Sequence, residues 1–139
     1  MGLSIRNQLA GTVTAVTAGE AMATVKVRLE GGQDITAAIT TDAVKDLGIA
    51  VGSSVKALVK ATDVALATGP VEGLSIRNQI AGTVVGVATG GAMASVKIDV
   101  DDGGLTAAVT NDAVEELGLA AGSAVVALIK STEISLATV

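Results

Sequence analysis

The sequence predicts an all-β protein made of two tandem five-stranded Greek-key barrels, each with one short helix between strands 3 and 4. Three observations carry that expectation. Leu3-Ser4-Ile5-Arg6-Asn7-Gln8 returns as Leu74-Ser75-Ile76-Arg77-Asn78-Gln79, and the match continues to Leu66-Ala67 and Leu136-Ala137. Most of each copy alternates polar with apolar side chains, the period of a half-buried strand. Once per copy that period gives way to a helical one, bounded by capping and stop residues. A repeat of roughly seventy residues exceeds a solenoid unit and suffices for a small domain. The chain therefore divides into a first domain at 1–67, a linker at 68–73 and a second domain at 74–139.

In the first copy, the alternation Gly11-Thr12-Val13-Thr14-Ala15-Val16 is strand one. After a turn at Gly19-Glu20, Ala23 to Leu29 alternates in the same way and forms strand two. Gly31-Gly32-Gln33-Asp34 is a hairpin signal leading into a third strand over Ile35 to Thr40. Asp42 to Leu47 then reads as a helix, with Thr40 or Thr41 available as N-cap, Asp42 in the first turn and Gly48 as the stop. Val55 to Val59 and Asp63 to Ala67 are strands four and five. The second copy repeats the scheme with Asn111 as cap candidate, Gly118 as stop and one residue fewer at the Gly103-Gly104 hairpin. Thr68-Gly69-Pro70-Val71-Glu72-Gly73, with the one proline, is the linker. This element order is OB-like. An SH3-like barrel is the nearest alternative and usually lacks the helix.

Composition narrows the function. There is no Phe, Trp, Tyr, Cys or His. That excludes the usual zinc and copper sites, a cysteine nucleophile, a Ser-His-Asp triad and any disulfide. It also removes the aromatic platforms on which single-stranded nucleic acids stack, and a net charge of -5 repels a polyanion. Nucleic acid is not an expected partner, and neither an enzyme nor a bound metal cation is expected. With 50% hydrophobic residues and a mean hydropathy of +0.64, the chain is more apolar than a small monomer needs. Each copy is also near the lower size limit for an independent core, so a homo-oligomer is expected. No apolar run approaches the roughly twenty residues of a membrane-spanning helix. Arg6 and Asn7 interrupt the start of the chain before a signal-peptide core could form, so the expected location is cytoplasmic.

The duplication allows the two copies to be compared with each other. Of nine basic residues, only three equivalent pairs keep a cation: Arg6 with Arg77, Lys26 with Lys97, and Lys60 with Lys130. Elsewhere charge has drifted, with Arg28 opposite Asp99, Lys45 opposite Glu115 and Lys56 opposite Val126. Lys26 and Lys97 sit among alternating apolar residues and read as solvent-facing rungs. Ser4, Arg6 and Asn7 stand just ahead of strand one, Thr40 at the helix entrance, and Lys60 with Thr62 between strands four and five. Their equivalents are Ser75, Arg77, Asn78, Thr110, Lys130 and Thr132. Apart from the neighbouring Asp63 or Glu133, each set is rich in donors and poor in acceptors, which suits an oxyanion. Backbone N–H groups at the helix starts, near Ala43 and Ala113, would add to that preference. One Arg and one Lys match the two charges of a small tetrahedral dianion. The structural alternative is that the arginines pair with acids on a neighbouring domain and the serines cap turns. Met22 and Met93 read as packing residues.

The segments Leu-Ser-Ile-Arg-Asn-Gln, Ala-Gly-Thr-Val, Thr-Ala-Ala-Ile-Thr and Ala-Leu-Val-Lys-Ala-Thr-Asp-Val resemble those of the molbindins, small cytoplasmic molybdate-binding proteins built from TOBE domains. The resemblance covers both copies in tandem form. It implies OB-like barrels assembled as a trimer, with molybdate or tungstate bound between domains. Ser4, Arg6, Lys60 and Ala61 would face the anion from one domain, with Asn7 alongside them, and Thr40 and the backbone at Ala43 would come from a neighbour. The second set would be Ser75, Arg77, Asn78, Lys130 and Ser131, met by Thr110 and Ala113. Further anions on the three-fold axis would lie against Gly19 to Thr24 and Gly90 to Ser95, where Met22 and Met93 stand in place of polar side chains. The implied role is intracellular storage and buffering of molybdate or tungstate. The rivals are a regulatory module acting on a partner protein, and a structural or oligonucleotide-binding barrel.

Overall fold

The computed structural model describes residues 2–101 and 103–139. The first repeat forms β1 (Asn7–Ala18), β2 (Met22–Leu29), β3 (Asp34–Thr40), α1 (Thr41–Leu47), β4 (Ser54–Val59), a 3-10 turn (Ala61–Asp63) and β5 (Ala65–Ala67). The second forms β6 (Asn78–Thr89), β7 (Met93–Val100), β8 (Gly103–Thr110), α2 (Asn111–Leu117), β9 (Ala124–Ile129), a 3-10 turn (Ser131–Glu133) and β10 (Ser135–Thr138). The fold class is the expected one: two curled five-stranded sheets, each with a short helix after its third strand.

Alternation fixes the faces. In β2, Ala23, Val25, Val27 and Leu29 are buried while Met22, Thr24, Lys26 and Arg28 are exposed, so Lys26 is the solvent-facing rung its pattern implied. β1 pairs with both β2 and β4, and a bulge at Thr14 bends it so that the sheet can curl. Gly11 and Gly82 make the close crossing of β1 on β2 and of β6 on β7 possible. A Cβ on Gly11 would lie 2.7 Å from the Arg28 carbonyl oxygen, and one on Gly82 would lie 2.8 Å from that of Asp99. The helices end as the sequence indicated, on Gly48 and Gly118 at φ 64° and 63°. Both begin on a threonine cap, since the Thr40 and Thr110 hydroxyls accept from the amides of Ala43 and Ala113. Asn111, a cap candidate, instead occupies the first helical position and donates to the Gly90 carbonyl oxygen at 2.9 Å.

The fifth strands are exchanged. The sheet orders are β10-β4-β1-β2-β3 and β5-β9-β6-β7-β8, so each repeat gives its last strand to the other's sheet. Ala65 pairs with Leu128 and Ser135 with Leu58. The sequence repeats and the sheets therefore do not share boundaries. One apolar cluster runs through both units, from Leu9, Val27 and Ile35 to Ile98, Leu105 and Leu136. The fifth strands are also shorter than the alternation implied, because the 3-10 turns take up Asp63 and Glu133. Gly103 and Gly104 begin β8 and are not the hairpin tip. The rest of that expected hairpin includes Asp102, which lies outside the described residues.

Candidate functional site

Two matching cavities form where the segment ahead of a first strand meets the 3-10 turn after a fourth strand. Ser4, Ile5, Arg6, Lys60, Ala61 and Thr62 line the first, of about 240 Å³. Ser75, Ile76, Arg77, Lys130, Ser131 and Thr132 line the second, of about 280 Å³. The strand exchange places them, because Lys60–Thr62 is where the chain leaves one sheet on its way to the other. Lys60 and Lys130 end their strands in identical extended conformations, φ -66° and ψ 140°, and each starts the turn without a side-chain cap.

The electrostatics favour an anion. Among the described residues no carboxylate lines either cavity. Among the described residues the one ion pair is Arg28 with Asp34, at 2.8 Å on the exposed faces of β2 and β3, so none of the four pocket cations is neutralised. The Arg6 guanidinium bends back on its own backbone, its Nε donating to the Ser4 carbonyl oxygen at 3.1 Å. A third cavity of about 230 Å³ adjoins the second and shares Ile76 and Lys130 with it, but Asp63 and Glu133 also line it and make it a poor anion site. Among the described residues no group of three or more acidic side chains could hold a metal cation.

The structure brings together Ser4, Arg6, Lys60 and Ala61, and likewise Ser75, Arg77, Lys130 and Ser131. It does not bring the other candidates to these cavities. Thr40, Ala43, Thr110 and Ala113 line neither cavity, and the Ala43 and Ala113 amides already donate to their threonine caps at 3.1 Å. Asn7 and Asn78 are the first residues of β1 and β6, 2% and 3% exposed. The Asn7 amide exchanges hydrogen bonds with the backbone of Thr106, and Asn78 does the same with Thr36. Each thereby fastens the first strand of one repeat to the third strand of the other. The signal was present in the sequence: Asn7 shares the period-two phase of Leu9 and Val13, the inward face.

Met22 and Met93, read as packing residues, are 49% and 46% exposed. They pair with Thr40 and Thr110 across β2–β3 and β7–β8. Leu47 and Leu117 at the helix ends are exposed as well.

The TOBE domain model matches residues 3–66 and 74–136. MopB of Rhodobacter capsulatus, a molybdenum-pterin-binding protein, is 40% identical over 136 residues, 96% of this chain and 50% of the relative. The molybdenum transport protein ModE of Herbaspirillum seropedicae is 37% identical over 139 residues, 99% of this chain and 52% of the relative. The chain thus spans about half the length of the first curated relatives it matches. Among solved structures, the cytoplasmic molybdate-binding protein ModG with molybdate bound superposes with a TM-score of 0.96 at 38% identity, covering 100% of both chains. Repeat, fold and family model agree, and the chain belongs to the TOBE domain family, of which it carries two copies.

Proposed function

We propose that this chain binds a tetrahedral oxyanion, molybdate or tungstate, in its two Arg-Lys-Ser pockets, and that it stores or buffers the anion in the cytoplasm without catalysing a reaction. One observation carries the proposal: Arg6 with Lys60 and Arg77 with Lys130 line hydroxyl-bearing cavities that, among the described residues, contain no carboxylate. Two cations against one dianion balance locally even though the chain is acidic overall, because pairing at a partly desolvated site outweighs distant charge. The ModG structure with molybdate bound supports the choice of ligand.

Each pocket is a half-site in this proposal. Thr40 and the Ala43 segment, or Thr110 and the Ala113 segment, complete it from a neighbouring chain in a homotrimer. The exposed methionines that pair with those threonines, Met22 and Met93, and the exposed leucines at the far ends of the two helices, Leu47 and Leu117, support docking on that side. Asn7 and Asn78 contribute by holding the pocket-forming segments in place. Titration calorimetry with molybdate in sulfate-free buffer tests the reading, with native mass spectrometry for subunit number. Saturable heat and a trimer carrying bound anions are expected, and no heat at micromolar protein would overturn it.

A second reading has its own support. The ModE-named relatives are about twice as long as this chain, and one of them, from Yersinia pestis, is a transcriptional regulator. In that reading the occupied barrels act as a regulatory module on a partner protein. A partner captured only when molybdate is present would favour it over storage.

A further inference from the structure

We infer that the two pockets are unequal, and that the second-repeat pocket of Ser75, Arg77, Lys130 and Ser131 is the tighter oxyanion site and fills first. This rests on the oxyanion reading above and adds an order of filling to it. The repeats supply the same side chain at every polar lining position except one, where Ala61 stands in the first pocket and Ser131 in the second. Both residues head 3-10 turns entered through the same backbone conformation, so the difference reduces to one hydroxyl. Ser131 is half-buried and does not cap its turn; its carbonyl oxygen accepts from the Ile134 amide, but its hydroxyl makes no hydrogen bond among the described residues. Its O–H is therefore free to donate to a bound anion.

The arginines differ in the same direction. Arg6 already uses its Nε on the Ser4 carbonyl oxygen and turns an Nη toward that of Leu3 at 3.4 Å. Arg77 has no hydrogen bond or ion pair among the described residues, which leaves its whole donor fork available. The hydroxyl does not crowd its cavity, which is the larger of the two at about 280 Å³ against about 240 Å³. A hydrogen bond to a charged acceptor is worth more than a neutral one, so a preference of about tenfold follows.

Calorimetric titration of the intact chain with molybdate, in sulfate-free buffer, compares the parent with Ser131→Ala and Ala61→Ser. The parent should show two equally numerous classes of site about tenfold apart in affinity. Ser131→Ala should weaken the tighter class toward the other, and Ala61→Ser should tighten the weaker class. The Ala61 pocket already shows that alanine is accepted at this turn, so Ser131→Ala keeps the fold. Uniform affinity in the parent, unmoved by either substitution, would overturn the inference while leaving the oxyanion reading intact. Absence of heat from all three proteins would overturn both.

Discussion

Asn7 and Thr106 lie 99 positions apart in the chain, yet they exchange two hydrogen bonds: the Thr106 amide donates to Asn7 Oδ1 at 2.8 Å and Asn7 Nδ2 donates to the Thr106 carbonyl oxygen at 2.9 Å. Asn78 makes the same pair with Thr36 and donates further to the Ile129 carbonyl oxygen at 3.1 Å. An asparagine amide offers one donor group and one acceptor, as a peptide unit does, so it can extend a ladder to a strand that the backbone cannot reach. Asn7→Ala should therefore cost about 2–4 kcal/mol, because it leaves both backbone groups of Thr106 unpaired. Asn78→Ala should cost at least as much. Denaturant unfolding would measure both losses.

The glycines of the first strands give a second prediction. Gly82→Ala would place a methyl group 2.6 Å from Ile98 Cγ2 and 2.8 Å from the Asp99 carbonyl oxygen, and neither strand can yield without losing register. Overpacking of this kind costs about 1–3 kcal/mol. Gly86→Ala, in the bulge of the same strand, would meet nothing within 4 Å, so stability should hold or rise by up to about 1 kcal/mol. Thermal unfolding of the pair separates close approach from general glycine replacement.

The sequence carried the elements and most of the pocket, because both depend on local pattern. Period-two alternation located β2 and β7, and the duplicated Ser-x-Arg and Lys residues identified the groups that share each cavity. The strand exchange was not legible. Alternation states which face a residue presents but not which strand it pairs with. Leu66-Ala67 and Leu136-Ala137 are the same in both copies, so either fifth strand fits either fourth. Asn7 is only half legible for a related reason: its inward phase can be read from Leu9 and Val13, but its partner Thr106 lies outside any local window.

Truncating a pocket cation should separate binding from folding. Arg6 and Lys60 are exposed, and neither forms an ion pair among the described residues, so Arg6→Ala and Lys60→Ala should each change stability by no more than about 0.5 kcal/mol. Molybdate affinity should fall roughly ten- to a hundredfold for each, the value of a hydrogen bond to a charged group. Calorimetry and thermal unfolding on the same samples check the two halves of this prediction.

Arg28 and Asp34 give a prediction about pH. The hydrogen bond from Arg28, helped by its charge and that of Lys26, outweighs desolvation and holds the Asp34 carboxyl below its ordinary value. A depressed carboxyl contributes stability above its unfolded value of about 3.9, and that contribution is lost as pH falls through the lower folded value. The pair is exposed, so the effect on folding is slight and the titration itself is the better readout. In a carboxyl NMR titration, Arg28→Ala should move the Asp34 midpoint upward. The second repeat has no equivalent pair, because Asp99 faces Gly104 there.

The exchanged strands predict where damage spreads. Leu136 belongs to the second repeat by sequence, but it pairs with Ala57 in the sheet of the first and packs into the shared core at 9% exposure. Leu136→Ala should destabilise the chain by about 2–3 kcal/mol, toward the low end for a leucine because the site lies at the edge of a sheet. Local opening follows hydrogen-bonded neighbours and not chain order. Faster amide exchange should therefore appear in β4, around Lys56 to Leu58, while β9, which is held by β5, stays protected under conditions where the whole chain does not unfold. Were β10 paired with β9 in solution, the protection would be lost from Val126 to Leu128 instead, so the location of the change reads out the exchange directly.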